Sequence, residues 1–241
     1  MDDKLPYLTT EQMREVDRLM IEEYGILLIQ MMENAGRNLA HLARRRFLDG
    51  DSQGSRVLVL AGTGGNGGGG LVCARHLRNQ GADVRVFTTA GASRFAEVPR
   101  HQLAILGKMG APVEVWDSGA NLPPADLVID ALIGYSLRGA PTGAAASLIG
   151  AANAQGAPIL ALDAPSGLDT ATGRVHQPAI EATATLTLAL PKEGLRAEEA
   201  AQYVGELYMA DISVPPQLYS SPTLGIDIGP IFAKEEVLRL A

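Results

Sequence analysis

Three runs of residues in this chain have the types and spacing to do chemistry on an anionic ligand. The first is Gly62-Thr-Gly-Gly-Asn-Gly-Gly-Gly-Gly70, with seven glycines, one threonine and one asparagine. It follows the apolar run Val57-Leu-Val-Leu-Ala61 and leads into Leu71-Val-Cys-Ala-Arg-His-Leu77, which has helical spacing. Glycine lets backbone approach a ligand closely, and the free N–H groups and dipole of a helix N-terminus favour an anion. A glycine loop at a strand-to-helix junction therefore reads as a phosphate cradle. The second run is Asp130-Ala-Leu-Ile-Gly134-Tyr-Ser-Leu-Arg-Gly139, and the third is Leu162-Asp-Ala-Pro-Ser-Gly-Leu-Asp169. An aspartate closing a strand has a plainer reading as a cap or turn residue. What favours function is that all three runs close predicted strands.

The elements that must position these runs come from periodicity. Residues 57–61, 84–88, 113–116, 127–130, 159–163, 184–190 and 206–210 read as strands, several of them continuously apolar, as in a parallel sheet covered on both faces. Helical spacing occupies 70–80, 98–110 and 143–155. The first fifty residues read as two helices, one behind a Thr9 cap with Met13, Val16, Leu19 and Met20 on one stripe, the other from about 27 to 47. The fold class expected is α/β: a three-layer α/β/α Rossmann-like sheet, mostly parallel, with an N-terminal helical extension. Residues 1–241 read as a single domain, with the extension over 1–50, the core over 55–216 and an outer tail over 217–241. If the strands run 3-2-1-4-5, the three chemical runs meet in one crevice beyond the strand ends.

Composition narrows the class. The 241 residues carry a net charge of −7 and are 46% hydrophobic, which argues against nucleic acid held through phosphates. No segment is long and apolar enough to span a membrane, and the N-terminus has neither signal-peptide nor transit-peptide character. The lone Cys73 suits a reducing cytoplasm and reads as a small apolar helix residue. The Met31-Met32 pair reads as core or dimer interface. His41, His76, His101 and His176 lack metal-ligand spacing. Gly62-Thr-Gly64-Gly-Asn-Gly67 matches a dinucleotide fingerprint, but Val86-Phe-Thr-Thr-Ala-Gly-Ala-Ser93 has no acidic residue to hold a ribose. A dehydrogenase is the weaker reading.

The same runs, in order and spacing, resemble the NAD(P)H-hydrate epimerase family, also called the YjeF N-terminal domain. Met31-Met-Glu-Asn-Ala-Gly36, Pro191-Lys-Glu-Gly-Leu195 and Ala210-Asp-Ile-Ser-Val-Pro-Pro216 extend the likeness from about residue 8 to residue 216. Asp163-Ala-Pro-Ser-Gly-Leu-Asp169 is its most specific part. Gly65 and Gly69 depart from it, standing where the family carries asparagine and aspartate, and Tyr135-Ser136 stands where Thr-Gly is usual.

The resemblance implies an isomerase that interconverts the R and S forms of hydrated NADH and NADPH (NADHX and NADPHX), for use by a separate dehydratase. No dehydratase domain is expected within this chain. It implies a potassium ion held by Asn66, Asp130 and Ser166. Substrate would contact Gly65, Asn66, Gly67, Gly68 and Gly69, then Gly134, Tyr135, Ser136, Leu137, Arg138, Gly139 and Ala140, and Asp163. Asp163, at a buried strand end, is the candidate catalytic acid/base. Lys192 either balances ligand charge or is solvated, and Arg138 either clamps a phosphate or lies on the surface. A cytoplasmic homodimer is expected. The alternative is a binding or scaffold protein of the same fold without turnover.

Overall fold

The computed structural model describes residues 5–241, and its elements follow the apolar pattern closely. Helix α1 (Thr10–Glu22) starts in a capping box: Gln12 N–H donates to Thr9 Oγ1 at 3.1 Å and Thr9 N–H donates to Gln12 Oε1 at 2.9 Å. Its stripe of Met13, Val16, Leu19 and Met20 is buried. Helix α2 (Leu28–Phe47) ends in Arg44, Arg45 and Arg46, where the helix dipole favours positive charge.

Strands and helices then alternate: β1 (Arg56–Ala61), α3 (Gly65–Asn79), β2 (Asp83–Thr88), α4 (Glu97–Lys108), β3 (Val113–Val115), β4 (Leu127–Ala131), α5 (Gly143–Ala154) and β5 (Ile159–Leu162). After them come β6 (Ala184–Leu188), α6 (Ala201–Val204), β7 (Glu206–Ala210), α7 (Pro216–Tyr219) and β8 (Val237–Arg239). The eight strands form one sheet in the order β3-β2-β1-β4-β5-β6-β7-β8, parallel except for β8. The expected 3-2-1-4-5 arrangement is present, so β1, β4 and β5 are neighbours.

Alternation along the strands builds the three layers. Val57, Val59 and Ala61 of β1 face α2 and α3 in one core, while Leu58 and Leu60 face α5 in another. A third core holds α1 against β7, α7 and the last residues of the chain.

Two local readings change. The 62–70 run is not a loop throughout, because α3 begins at Gly65 and takes in the last five of its glycines. All of these but Gly65 serve close packing. A Cβ on Gly67 would lie 1.8 Å from the Gly62 carbonyl oxygen, one on Gly70 2.5 Å from Ala131 Cβ, and one on Gly36 of α2 2.4 Å from Val72 Cβ. Bare backbone lets α2, α3 and the sheet approach within distances that side chains forbid. The tail is likewise more than an outer wrap: β8 pairs antiparallel with β7 and extends the sheet.

Candidate active site

The carboxyl ends of β1, β4 and β5 open onto a cleft of about 220 Å³. Its polar side is Gly65, Asn66, Gly134, Tyr135, Ser136, Asp163 and Lys192, and its apolar side includes Met13, Leu28, Met31, Met32 and Ala35. The cleft sits where the winding of the sheet reverses, the place a doubly wound fold reserves for ligands.

Asp163 is the centre of the polar side. β5 ends at Leu162 because Asp163 takes a left-handed backbone conformation, φ 67°, held by its N–H donating to Leu186 O at 2.7 Å. A non-glycine residue there carries backbone strain, and the turn directs the carboxylate across Gly134. A Cβ on Gly134 would lie 2.7 Å from Asp163 Oδ2 and 3.1 Å from Asn66 Oδ1. Oδ2 accepts from the Tyr135 N–H at 2.8 Å, and Oδ1 pairs with Lys192 Nζ at 2.5 Å. Lys192 is wholly buried and also donates to Leu188 O and Thr187 Oγ1, at 3.0 and 3.3 Å. Of the two readings for Lys192, the solvated one is excluded.

Asp130 lies beneath this floor. It is fully buried at the end of β4, and it binds the turn after β5: Ser166 Oγ donates to Oδ1 at 2.7 Å and Ser166 N–H to Oδ2 at 2.8 Å. Leu132 N–H donates to Oδ1 at 3.1 Å. Burial pushes the Asp130 carboxyl up to about 6 against the Ser166 hydrogen bonds. Asp130 and Ser166 thus meet directly, whereas Asn66 sits above them on the cleft wall with its Nδ2 buried and without a hydrogen-bond partner.

The glycine run is divided. Gly65, Asn66 and Gly69 line the cleft, whereas Gly67 and Gly68 face the Gly62 carbonyl and the Met32 sulfur. Gly64 caps α3 without a side-chain hydrogen bond, so the first-turn N–H groups retain their donors for a ligand. Along the second run, Gly134, Tyr135 and Ser136 line the cleft; Leu137, Arg138, Gly139 and Ala140 lie outside it. Arg138 is exposed and makes no ion pair among the described residues. Cys73 is buried in the core, which pushes its thiol up, as suits an apolar packing residue.

Sequence reasoning missed Asp17. Asp17 of α1 lies four residues after Met13 and three before Met20, which puts a carboxylate at the edge of a buried stripe; that was its signal. Its Oδ2 accepts from the Tyr135 hydroxyl at 2.5 Å. Burial pushes its carboxyl above the ordinary value against the Tyr135 hydrogen bond. Met31 and Met32 are buried, as the core reading expected, and they also line the cleft.

Comparison with known proteins agrees with this geometry. A chain from Dehalogenimonas lykanthroporepellens, named NAD(P)H-hydrate epimerase, is 48% identical over 213 residues, covering 88% of this chain and 84% of that one. One of the same name from Rhodopirellula baltica is 34% identical, covering 89% and 87%. The bifunctional NAD(P)H-hydrate repair enzyme Nnr of Moorella thermoacetica is 40% identical over 89% of this chain, which spans 42% of that relative. The crystal structure of yeast YNL200c superposes with a TM-score of 0.79 at 27% identity, covering 98% of this chain and 100% of the other. The family model described as YjeF-related protein N-terminus matches residues 28–194, and the chain belongs to that family.

Proposed function

We propose that this protein is an NAD(P)H-hydrate epimerase, interconverting the R and S forms of NADHX and NADPHX. The observation that carries this reading is a buried, ion-paired Asp163 at the floor of a cleft whose rim is the uncapped N-terminus of α3. The relatives' names supply the ligand class and favour turnover over a scaffold role. Epimerisation at a hydroxyl-bearing carbon bonded to a ring nitrogen needs protons moved and no net redox change. In this reading the diphosphate lies at Gly65 and Asn66, the hydrated ring lies between Asp163 and the methionine wall, and Asp163 exchanges a proton with the oxygen at the reacting carbon. Lys192 fixes the orientation of Asp163.

The reading includes a potassium ion held by Asn66, Asp130 and Ser166. One feature fits a cation: a fully buried carboxylate with no ion-pair partner among the described residues, below a cleft wall that carries the Asn66 amide. No group of three or more His, Cys, Asp or Glu side chains suited to a metal occurs among the described residues, so the donors are a mixed oxygen set, which suits a hard monovalent ion. Bound there, the ion neutralises Asp130 and stiffens the junction of β4 and β5. Melting in potassium is expected to exceed melting in sodium at equal ionic strength; coincident curves refute the ion site.

The S epimer is then consumed by a dehydratase, and the bifunctional names of longer relatives favour that pairing. No helix among the described residues is long and apolar enough to cross a membrane; a cytoplasmic homodimer completes the proposal. The direct test mixes purified protein with the R epimer of hydrated NADH, an S-specific dehydratase and ATP. NADH recovery well above the spontaneous rate is expected, and recovery at that rate overturns the epimerase reading.

A further inference from the structure

An epimerase that exchanges a hydroxyl between two faces of a planar carbon needs a proton donor on one face and an acceptor on the other. Asp163 is one oxygen acid in the cleft. Tyr135 and Asp17 also line it, from the β4–α5 connection and from α1, with their side-chain oxygens 2.5 Å apart. The two aspartates sit in opposite surroundings. Asp163 is ion-paired with Lys192, whereas Asp17 makes no ion pair among the described residues and is held by a phenol. Paired acids in contrasting environments divide the donor and acceptor roles.

We propose that Tyr135, backed by Asp17, is a second catalytic acid/base of this site, serving the hydroxyl of the hydrated ring. The proposal rests on the epimerase reading. Asp17 passes its carboxyl proton to the Tyr135 oxygen as the phenolic proton moves to the departing hydroxyl. The C–O bond breaks, its electron pair leaves with the oxygen as water, and the ring nitrogen's lone pair closes a C=N bond. Water adds to the other face, the C=N pair returns to nitrogen, and the proton shed by the added water passes to Asp163. Asp163 releases that proton to solvent and solvent returns one to Asp17, so both acids are regenerated and no electron is gained or lost overall. Tyr135 touches the substrate; Asp17 acts through it and is a positioning and proton-storing residue.

Other charges around Asp17 set the direction of its pH dependence. Burial raises its carboxyl, Asp163 adds to that, and the Tyr135 hydrogen bond and the Lys192 charge oppose it. Arg14 of the same helix acts on Tyr135, and Tyr219 of α7 feels the Asp17 charge. The stored proton is present below the raised Asp17 value and lost as pH rises through it, so the rate should fall as pH rises.

The test follows formation of the S epimer from the R epimer with the full-length wild-type chain, Tyr135→Phe and Asp17→Asn, from pH 5 to 9. Tyr135→Phe is expected to lower kcat by about 100-fold or more with KM within about twofold. Asp17→Asn keeps an acceptor for the phenol but stores no proton; it is expected to lower kcat similarly and to lose the falling limb. If wild type is active and both variants keep kcat within about threefold, this inference fails while the epimerase reading stands. A slowed Asp17→Asn that retains the limb also overturns it, since a merely structural role would leave the limb in place. Should Tyr135→Phe fail to fold, Asp17→Asn decides. A wild type no faster than the spontaneous reaction overturns both readings.

Discussion

Asp163→Asn is expected to abolish turnover and also to lower stability by about 3–5 kcal/mol, the cost of stripping one partner from a buried ion pair. Function alone would predict an inert variant with an unchanged melting curve. The surroundings of Lys192 say otherwise: its side chain is wholly buried, and Asp163 is the only carboxylate paired with it among the described residues. Asparagine leaves that ammonium buried among neutral oxygens, Leu188 O, Thr187 Oγ1 and the new amide carbonyl, with no counter-charge. For a chain of this size the loss corresponds to a fall in Tm of roughly 10 °C. Lys192→Met alone should destabilise comparably, because it strands the Asp163 carboxylate. The double variant Asp163→Asn, Lys192→Met should recover most of the stability and none of the activity. Thermal and urea melts of the four proteins form a closed cycle. Additive losses would show that the two side chains do not depend on each other.

Gly67→Ala is expected to be the most damaging single-methyl change in the glycine run, costing at least about 3 kcal/mol. Its Cβ would fall 1.8 Å from the Gly62 carbonyl oxygen, and a backbone atom at the end of β1 cannot rotate aside. The first turn of α3 would have to lift from the sheet, and the ligand-facing N–H groups would move with it. Gly65→Ala is the matching control. Nothing lies within 4 Å of the added carbon, and alanine suits a helix better than glycine, so stability should hold or rise slightly. Urea melts distinguish the pair; equal stability of the two variants would refute the packing account.

The contrast between Gly67 and Gly65 shows where the sequence was legible and where it was not. Strand order and the two faces of β1 followed from apolar runs, and the grouping of Asp130 with Ser166 from the family resemblance. The glycines were misread because two different physical demands, close ligand approach and close helix packing, select the same residue. Only the positions of Gly36, Ala131 and the Gly62 carbonyl separate them. Lys192 was ambiguous because sequence does not show burial, and a lone lysine is usually solvated. Asp17 was missed because its partner Tyr135 lies 118 positions away. Strand β8, three residues long, is too short for alternation to register.

Helix α1 brings Asp17 to Tyr135, while Leu8 just before it bridges to Lys192. During synthesis this segment precedes its docking partners: Tyr135 lies 118 positions after Asp17, and β7 and α7 follow later still. Until then much of the core around its stripe of Met13, Val16, Leu19 and Met20 is missing, and nascent apolar surface of that kind is what chaperones bind. Closing so long a loop also slows folding. The cleft therefore completes late in the life of the nascent chain, and an epimerase of this design gains activity only when its first helix returns to meet the end of the sheet.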